Sequence, residues 1–474
     1  MRAIAAAGIV ALMTLTAQAQ TISPDDLASR NIQRRAVEAM IWGMPAVNTD
    51  LMLQTMLKST KANPNEIVYW SKPVNWKNQT LTPNPDSIYF MSFWNVKDGP
   101  IVIEIPPAQG GSIAGNIVTA WQMPLEDAGP EGADKGQGGK YVILPPGYKG
   151  EVPAGAIALQ SDTFSGFALL RSNLASHADA DVAKSVVYGK QIKIYPLASA
   201  GAPPPTNFTD AYDVLFDSTI PYDAKFYRSL DRVVQNEPWL DRDRVMIDQL
   251  RSIGIEKGKA FDPDQKTVAL LDQAASEGHA ILAQIYDAGF PPINPGIRWF
   301  PAAMAEMVKA ASGGYADPNA YPVDARGVTY TLGFTGIKRL GTAQFYLMAN
   351  KDRDGQPFEG NATYRLTVPA NAPVRNYWSA TVYDRETHAL VRNMPSASRA
   401  SISPGLQKNA DGSVDVFFGP KAPDGKEANW VPTDPARKFE LLFRLYGPEK
   451  QLFDHSWKLP DVERVATTIG GATK

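Results

Sequence analysis

The sequence lacks cysteine and is poor in histidine. Its 474 residues contain no Cys and 4 His, which excludes disulfides, thiol nucleophiles, thiolate metal sites and iron–sulfur clusters. The histidines are scattered, with no His-x-His pair and no His-Glu-x-x-His helix, so the zinc signatures are missing as well. They are His177, His279, His388 and His455. We therefore predict a protein that works without a cofactor.

Strong charge of either sign is also missing. The formal net charge is −2 at pH 7, so electrostatics gives no reason to expect nucleic acid or an anionic membrane as a partner. The sequence has no glycine-rich phosphate loop and no Rossmann fingerprint. The segment "GGSIAG" has Ala114 where a nucleophile elbow needs its second glycine. These absences disfavour serine hydrolases with that elbow and nucleotide-binding enzymes.

Acidic residues alternate in the segment "KDRDGQP", as they do in a calcium loop. Asp352 and Asp354 are present, but the remaining ligands of such a loop do not follow. An Asp-Gly pair is also typical of a hairpin turn. We predict a turn here, with Ca²⁺ or another divalent metal as the alternative.

A long apolar run occurs only at the N-terminus. Arg2 is followed by apolar residues and then by Ala17-Gln18-Ala19, a small-x-small cleavage pattern. The run is too short for a comfortable membrane span. We predict a signal peptide over residues 1–19, cut after Ala19, and a periplasmic or secreted protein without a membrane span. A retained N-terminal anchor is the alternative.

The rest of the chain alternates between helical and strand-like stretches, and it is too long for one ordinary domain. Ser23 as N-cap and Pro24 after it predict a helix to about Val47. The segment "PIVIEIPP" alternates as a sheet with two different faces requires. The proline-rich "ASAGAPPPTNF" is typical of a stiff linker. We predict an N-terminal helical segment (20–66), a first β domain of sandwich or barrel type (67–200), a linker and helical region (201–329), and a second β domain (330–474).

Several segments resemble one bacterial two-domain family. They are "PNPDSIYF…WNVKDGPIVIEIP" and "GGKYVILPPGYKGEVP" in the first half, and "KDRDGQPFEGNATYRLTVPANAPVRNYWSATVYDRETHALV", "KNADGSVDVFFGP" and "ANWVPT" in the second. The family combines domain of unknown function 1254 with domain of unknown function 1214. The resemblance implies a mainly β fold with α, in which two β-sandwich, jelly-roll-like domains flank a helical region. It implies no established reaction.

The corner "PNPDS" contains the first candidate residues. Members of that family usually have Asn-Arg-Asp-Thr where this chain has Asn84-Pro85-Asp86-Ser87, so the arginine is missing here. Asp86 either caps the backbone N–H of Ile88 or acts as a general base or sugar-hydroxyl ligand, with Tyr89 beside it as a donor. Arg171 ends an apolar run. Asp86, Tyr89 and Arg171 are the candidate catalytic residues.

A second group of residues suits substrate binding. Arg444 lies in the apolar strand "LLFRLYG", where alternation places it on the face opposite Phe443. A guanidinium there must pair with a carboxylate or face a cavity, because it cannot lose its charge. The segment "YPVDARGVTY" supplies further polar groups near a predicted domain junction, and Trp378 could stack on a flat ligand. The candidate binding residues are Asp324, Arg326, Tyr330, Trp378 and Arg444.

Two classes of function stay open. The first is an exported, cofactor-free hydrolase or lyase that acts on a small-molecule, glycan or ester-type substrate in a cleft between the domains. The second is a non-catalytic periplasmic ligand-binding protein or oligomeric assembly protein. The enzyme hypothesis requires at least two of the polar candidates to line one concave site. Those candidates are Asp86, Tyr89, Arg171, Asp324, Arg326 and Arg444.

Overall fold

A computed structural model describes residues 22–333, 338–339 and 343–465. The predicted signal peptide lies outside these ranges. The chain is 28% helical and 26% strand, with the strands arranged in several sheets. This composition agrees with the predicted mainly β, two-domain fold with added helices. No helix within the described ranges is both long enough and apolar enough to cross a membrane.

Helices occupy the N-terminus, the middle of the chain and short stretches elsewhere. They are α1 Pro24–Ser59, α2 Asp179–Gly189, α3 Lys225–Asn236, α4 Arg244–Gln249, α5 Gln265–Ala288, α6 Ala305–Ser312, α7 Val323–Leu332 and α8 Lys450–Phe453. Helix α1 begins as predicted, since Ser23 Oγ accepts a hydrogen bond from the N–H of Asp26. It runs on to Ser59 rather than ending near Val47.

The first half of the chain forms a six-stranded and a four-stranded sheet. Its strands are β1 Ile67–Tyr69, β2 Asn78–Gln79, β3 Ser87–Asn95, β4 Ile101–Ile105, β5 Ile113–Thr119, β6 Pro124–Ala128, β7 Gly139–Leu144, β8 Ile157–Gln160, β9 Ser165–Asn173, β10 Lys193–Pro196, β11 Phe208–Asp210 and β12 Phe216–Asp217. The strand orders are β11-β1-β3-β9-β5-β6 and β10-β4-β7-β8, and β12 pairs with β2. Side chains of both larger sheets, among them Ile88, Ile103 and Ile143, meet in one hydrophobic cluster.

The second half repeats this arrangement of one six-stranded and one four-stranded sheet. Its strands are β13 Phe300–Pro301, β14 Gln344–Ala349, β15 Phe358–Glu359, β16 Tyr364–Val368, β17 Val374–Asp384, β18 Ser398–Ala400, β19 Val414–Gly419, β20 Trp430–Pro432, β21 Lys438–Pro448 and β22 Glu463–Arg464. The orders are β13-β14-β21-β17-β18, with β15 also on β21, and β20-β19-β16-β22. Leu366, Val416 and Phe443 belong to one cluster that joins the two sheets.

Two predicted boundaries differ from the structure. Strand β11 follows the proline-rich linker, yet it pairs in parallel with β1, with Phe208 opposite Ile67, so the linker does not end the first sheet. Tyr330, where the second β region was expected to begin, lies in helix α7. In both places the local composition was informative, but long-range pairing and packing decide which sheet or layer a segment joins.

The helices fill the space between the two β regions. One hydrophobic cluster contains residues of α1, α3, α5 and α7, together with Met91 of β3, Leu169 of β9 and Leu442 of β21. Pro45 lies inside α1 and lacks the N–H that would bond to the carbonyl of Ile41. Gly327 of α7 packs against that carbonyl, because a Cβ atom on it would lie 3.0 Å from the Ile41 oxygen. Helices α1 and α7 are therefore in close contact at this point.

Candidate functional site

Strands β3 and β9 place one tyrosine and one arginine side by side. The antiparallel register sets Tyr89 directly opposite Arg171. Alternation along β3 puts Ile88 into the cluster between the first-half sheets and Tyr89 into the cluster shared with the helices. Tyr89 and Arg171 are each 3% exposed. Both side chains therefore point away from the core of their own domain and towards the domain junction.

Strands β14 and β21 build a matching pair in the second domain. Tyr346 lies opposite Arg444 in the antiparallel register. Phe443 and Leu445 belong to the core of the second domain, whereas Leu442 belongs to the cluster shared with the helices. Arg444 therefore lies on the face that alternation predicted. It is 1% exposed.

The two Tyr–Arg pairs meet in one cavity of about 40 Å³. Three sequence-predicted candidates line it, namely Tyr89, Arg171 and Arg444. The full lining is Leu81, Thr82, Asn84, Tyr89, Leu169, Arg171, Ala302, Thr329, Leu332, Gly333, Tyr346, Met348, Leu442 and Arg444. The two arginines are the only charged members of this described lining, which contains no Asp or Glu. Three of the six polar candidates thus line one concave site.

Arg444 is held by hydroxyl groups and a backbone carbonyl. Its Nη1 donates to Thr381 Oγ1 at 3.0 Å, and its Nη2 donates to the Thr82 carbonyl at 2.7 Å and to the Tyr383 hydroxyl at 2.6 Å. Its buried Nε has no hydrogen-bond partner among the described residues. The pairing with a carboxylate that the sequence left open is not found within the described part of the chain. Arg444 faces a cavity instead.

Arg171 has fewer partners still. Its Cζ lies 5.6 Å from the ring centroid of Tyr89, a distance at which the ring face attracts a cation. Its Nε and Nη1 are buried without a hydrogen-bond partner among residues 22–333, 338–339 and 343–465. Donors of this kind are normally satisfied in a folded protein, so each one needs an explanation.

Both guanidinium groups keep their charge. Burial alone would lower the pKa of Arg171, but the nearby phenol groups of Tyr346 and Tyr89 outweigh it, and the pKa rises. The pKa of Arg444 rises in the same way against burial, chiefly through Tyr383 and Tyr346. An arginine is protonated at every physiological pH. The cavity therefore has two positive charges beside it.

Asn84 fixes the corner that separates Asp86 from the cavity. Its Nδ2 donates to the Tyr446 hydroxyl at 2.7 Å, and its backbone N–H donates to the Tyr89 hydroxyl at 2.7 Å. Its Oδ1 accepts from the N–H of Asp86 at 3.1 Å. The turn at this corner is thus made by the Asn84 side chain, rather than by Asp86 capping Ile88.

Asp86 is fully buried but does not line the cavity. Its Oδ1 accepts a hydrogen bond from Ser398 Oγ at 3.0 Å and lies 3.2 Å from His177 Nε2. The Tyr377 hydroxyl donates to its backbone carbonyl at 2.9 Å. The structure therefore separates Asp86 from Tyr89 and Arg171, with which the sequence grouped it.

The remaining predicted binding residues do not line the cavity either. Asp324 is exposed in the first turn of α7. Arg326 is buried between the rings of Tyr315 and Tyr321, each centroid 4.9 Å from its Cζ. Tyr330 donates to the Gln122 carbonyl at 3.1 Å. Trp378 packs in the core of the second domain, stacked on Phe443 with ring centroids 5.6 Å apart.

Four polar members of the lining were not predicted from the sequence: Thr82, Asn84, Thr329 and Tyr346. Tyr346 could have been found by pairing the apolar strand "QFYLMA" with the strand around Arg444, but the register of two strands about a hundred residues apart is not visible in the sequence. Within the described ranges, no group of three or more His, Asp or Glu side chains could hold a metal ion.

Comparisons with known proteins agree with the resemblance seen in the sequence. The family described as "Protein of unknown function (DUF1254)" matches residues 64–196, and the one described as "Protein of unknown function (DUF1214)" matches residues 343–450. The first match contains Tyr89 and Arg171, and the second contains Tyr346 and Arg444. The cavity thus combines residues from both matched regions.

Two solved structures align with most of the chain. The crystal structure of the VPA0106 protein from Vibrio parahaemolyticus has a TM-score of 0.58 at 18% identity and covers 92% of this chain and 100% of its own. An uncharacterised protein from Burkholderia cenocepacia has a TM-score of 0.42 at 11% identity, with coverage of 93% and 96%. No curated protein matches the chain. The first structure supports the fold and assigns no activity.

Proposed function

We propose that this protein, which joins a DUF1254 domain to a DUF1214 domain, binds a small carboxylate-bearing molecule in the cavity between them. The observation that supports the proposal is the pair of buried guanidinium groups, Arg171 and Arg444, beside a cavity whose described lining contains no carboxylate. A bound anion would supply the missing countercharge.

The observation matters because burying two unpaired positive charges costs free energy. Burying an unpaired ion costs several kcal/mol even after the protein relaxes, as an order of magnitude, and two like charges that share a site repel each other in addition. Proteins normally pair such charges or open them to water. A ligand carboxylate between two guanidiniums would accept charge-assisted hydrogen bonds, which are about twice as strong as neutral ones. The unpartnered donors of Arg171 are available for this purpose.

The size and lining of the cavity narrow the ligand class. Because a water needs roughly 10–15 Å³, the cavity of about 40 Å³ suits a group of only a few heavy atoms. Apart from its polar members, the lining is aliphatic, with Leu81, Leu169, Met348 and Leu442 among it. We therefore expect a short aliphatic carboxylate, or the carboxylate end of a longer molecule.

Calorimetric titration of the mature protein tests the proposal. Acetate, propionate and butyrate form the test series, butyramide is the uncharged isostere, and phosphate and sulfate are the other anions. The variants are Arg171→Met and Arg444→Met. Arg326→Met is the matched control, because Arg326 is equally buried but lies outside the cavity. We expect carboxylate binding that both cavity variants lose and the control keeps. Equal affinity for butyramide would contradict the proposal.

A cofactor-free lyase or hydrolase acting in the same cleft is the second candidate. The observation that favours it is the Tyr89 phenol beside Arg171, since a phenol can transfer a proton while guanidiniums stabilise negative charge that develops on a bound carboxylate. A lyase fits this pairing better than a hydrolase does, because no carboxylate base lines the cavity within the described residues. A screen of ester, glycoside, lactone and unsaturated-acid chemistry, with and without chelator, tests this candidate. Loss of a detected activity in Tyr89→Phe, with carboxylate binding retained, would support it.

We also propose that the protein is exported and that its ligand is a small molecule. The N-terminal pattern up to Ala19 supports a periplasmic or secreted location after cleavage, and the small net charge supports a small-molecule ligand rather than nucleic acid. The alternative function, that of an assembly protein, requires homo-oligomers, and we include them in the proposal. N-terminal sequencing of the protein from a periplasmic extract tests the cleavage site, and light scattering tests the oligomeric state.

A further inference from the structure

Helix α7 contributes one polar side chain to the cavity. Thr329, Leu332 and Gly333 all line the cavity, and their spacing of three and four residues puts them on one face of the helix. Thr329 is 4% exposed, and its buried Oγ1 has no hydrogen-bond partner among the described residues. A buried hydroxyl group is normally hydrogen-bonded in a folded protein. The Thr329 hydroxyl therefore needs a partner that the described part of the chain does not supply.

Two neighbouring threonine hydroxyls are already bonded within the protein. Thr331 is 4% exposed as well, and it donates to the Val328 carbonyl at 2.7 Å, a carbonyl of the preceding helical turn. Thr82, which lines the cavity, donates to the Leu332 carbonyl at 2.8 Å. Thr329 differs from both, because its hydroxyl makes no such bond.

The Tyr89 hydroxyl also has a proton without an acceptor. Its oxygen accepts a hydrogen bond from the N–H of Asn84 at 2.7 Å, and it donates to no group within residues 22–333, 338–339 and 343–465. The amide oxygen of Asn84 is engaged by the N–H of Asp86. The polar part of the lining is therefore rich in donors and poor in free acceptors.

This lining offers more hydrogen bonds than a carboxylate alone can accept. The unpartnered donor atoms are five, namely Nε and Nη1 of Arg171, Nε of Arg444, and the hydroxyl oxygens of Thr329 and Tyr89. The two oxygens of a carboxylate have about four lone-pair positions. A further acceptor on the ligand, close to its carboxylate, would satisfy the remaining donor.

We infer that the ligand is a 2-oxo acid of about the size of pyruvate and that Thr329 recognises its oxo group, an inference that rests on the carboxylate site proposed above. The carboxylate lies with Arg171 and Arg444, and the oxo oxygen on the adjacent carbon accepts the hydroxyl proton of Thr329. An oxo group accepts hydrogen bonds and donates none, which matches a lining rich in donors. A 2-hydroxy acid would bring one more donor to the same place.

Calorimetric titration with pyruvate, lactate and isobutyrate tests this inference. Isobutyrate has a methyl group where pyruvate has its oxo oxygen, so it keeps the charge and the approximate size of pyruvate, and lactate has a hydroxyl there. We expect the native protein to bind pyruvate about 10-fold more tightly than isobutyrate, as one hydrogen bond to a buried group allows. Lactate should bind less tightly than pyruvate.

Two threonines on the same helix provide the test variant and its matched control. Thr329→Val removes the hydroxyl and keeps the shape of the side chain, and it should lower the affinity for pyruvate about 10-fold while the affinity for isobutyrate stays unchanged. Thr331→Val removes an equally buried hydroxyl outside the cavity lining and should keep both affinities. Thr329→Ser restores the hydroxyl and should restore the preference for pyruvate.

Three outcomes of these titrations overturn the inference. The first is pyruvate that binds the native protein no more tightly than isobutyrate, and the second is lactate that binds as tightly as pyruvate. The third is an equal loss of pyruvate and isobutyrate affinity in Thr329→Val, which would assign Thr329 a structural role. Propionate separates this inference from the proposed function. If propionate binds and pyruvate has no advantage, only this inference fails, whereas the failure of every carboxylate to bind overturns both.

Thermal unfolding of the ligand-free protein tests the premise independently. Thr329→Val should leave the unfolding midpoint level or raise it, because the hydroxyl that it removes has no partner among the described residues. Thr331→Val should lower the midpoint, because it removes the hydrogen bond to the Val328 carbonyl. A fall in Thr329→Val as large as that in Thr331→Val, or a Thr329→Val variant that does not fold, would show that the Thr329 hydroxyl already has a partner in the protein and would overturn the inference.

Discussion

Arg171 and Arg444 come from different domains, yet both line one buried cavity, and neither forms a salt bridge with a carboxylate among the described residues. Each lies opposite a tyrosine on the neighbouring strand, Tyr89 or Tyr346. The two domains thus present the same cross-strand Arg–Tyr pair to a common space. Without an anion, the two positive charges repel each other. A ligand that stabilises this arrangement is therefore expected to carry a negative charge.

The two arginines differ in what their removal should do to the ligand-free protein. Arg171→Met takes away a buried charge with few hydrogen bonds, so we expect the free energy of unfolding to stay level or to rise by about 1 kcal/mol. Arg444→Met leaves the Thr82 carbonyl and the Tyr383 hydroxyl without their donor, and we expect a loss of about 1–3 kcal/mol. Urea unfolding without added anions measures both. Equal effects of the two substitutions would argue against this picture of their partners.

The Asn84 corner should connect stability with binding. Asn84→Ala removes the donor to the Tyr446 hydroxyl and the acceptor for the N–H of Asp86, and we expect a cost of about 1–3 kcal/mol. Because the same side chain lines the cavity, carboxylate affinity should fall as well. Asn409→Ala, in the turn before β19, is the control, since it removes a side-chain hydrogen bond to Ser413 outside the cavity. Calorimetric titration should find the carboxylate affinity of Asn409→Ala unchanged. A normal carboxylate affinity in Asn84→Ala would show that the Asn84 corner does not contribute to binding.

Substitution of Trp378 tests whether this residue contributes to carboxylate binding. The sequence suggested that it could stack on a ligand, whereas the structure packs it on Phe443 in the core. We expect Trp378→Ala to destabilise the fold by about 3–5 kcal/mol. The fraction that remains folded should bind carboxylate with unchanged affinity. A variant of normal stability that no longer binds would place Trp378 in the site after all.

His279 should make the fold sensitive to acid. Burial, aided by the charges of His388 and Arg385, lowers the pKa of His279 from 6.5 to about 4, and its ring stacks on Tyr222 with centroids 3.5 Å apart. Between these two pH values the unfolded chain binds a proton that the folded chain does not, so stability falls as the pH falls through this window. His279→Phe keeps a stacked ring without the titration. Its unfolding midpoint should fall less than that of the native protein between about pH 7 and pH 5, and an equal fall would assign the acid sensitivity to other groups.

How far the sequence predicted the site depends on the range of the interaction. Strand alternation placed Arg444 on the correct face, because side-chain direction along one strand is a local property. It could not pair Arg444 with Tyr346 or bring Arg171 to the same cavity, because these contacts depend on sheet register and on how the two domains pack. Asp86 was grouped with Tyr89 for their closeness in the sequence, but Asp86 contacts Ser398 and His177 rather than the cavity that Tyr89 lines.

The fold shows the same division between features that local sequence determines and features that depend on long-range contacts. The start of α1 and the strand around Ile103 follow from capping and alternation. The extension of α1 to Ser59 and the pairing of β11 with β1 depend on partners that are distant in the sequence. Tyr330 lies in helix α7, whose Gly327 packs closely against the Ile41 carbonyl of α1.

A crystal structure of the mature protein grown with propionate tests the central claim most directly. We expect the carboxylate to lie between Arg171 and Arg444, with its oxygens about 2.7–2.9 Å from guanidinium nitrogens and its methyl end against Leu169 or Leu442. Propionate bound elsewhere, or a cavity that contains only water at saturating propionate, would contradict the account.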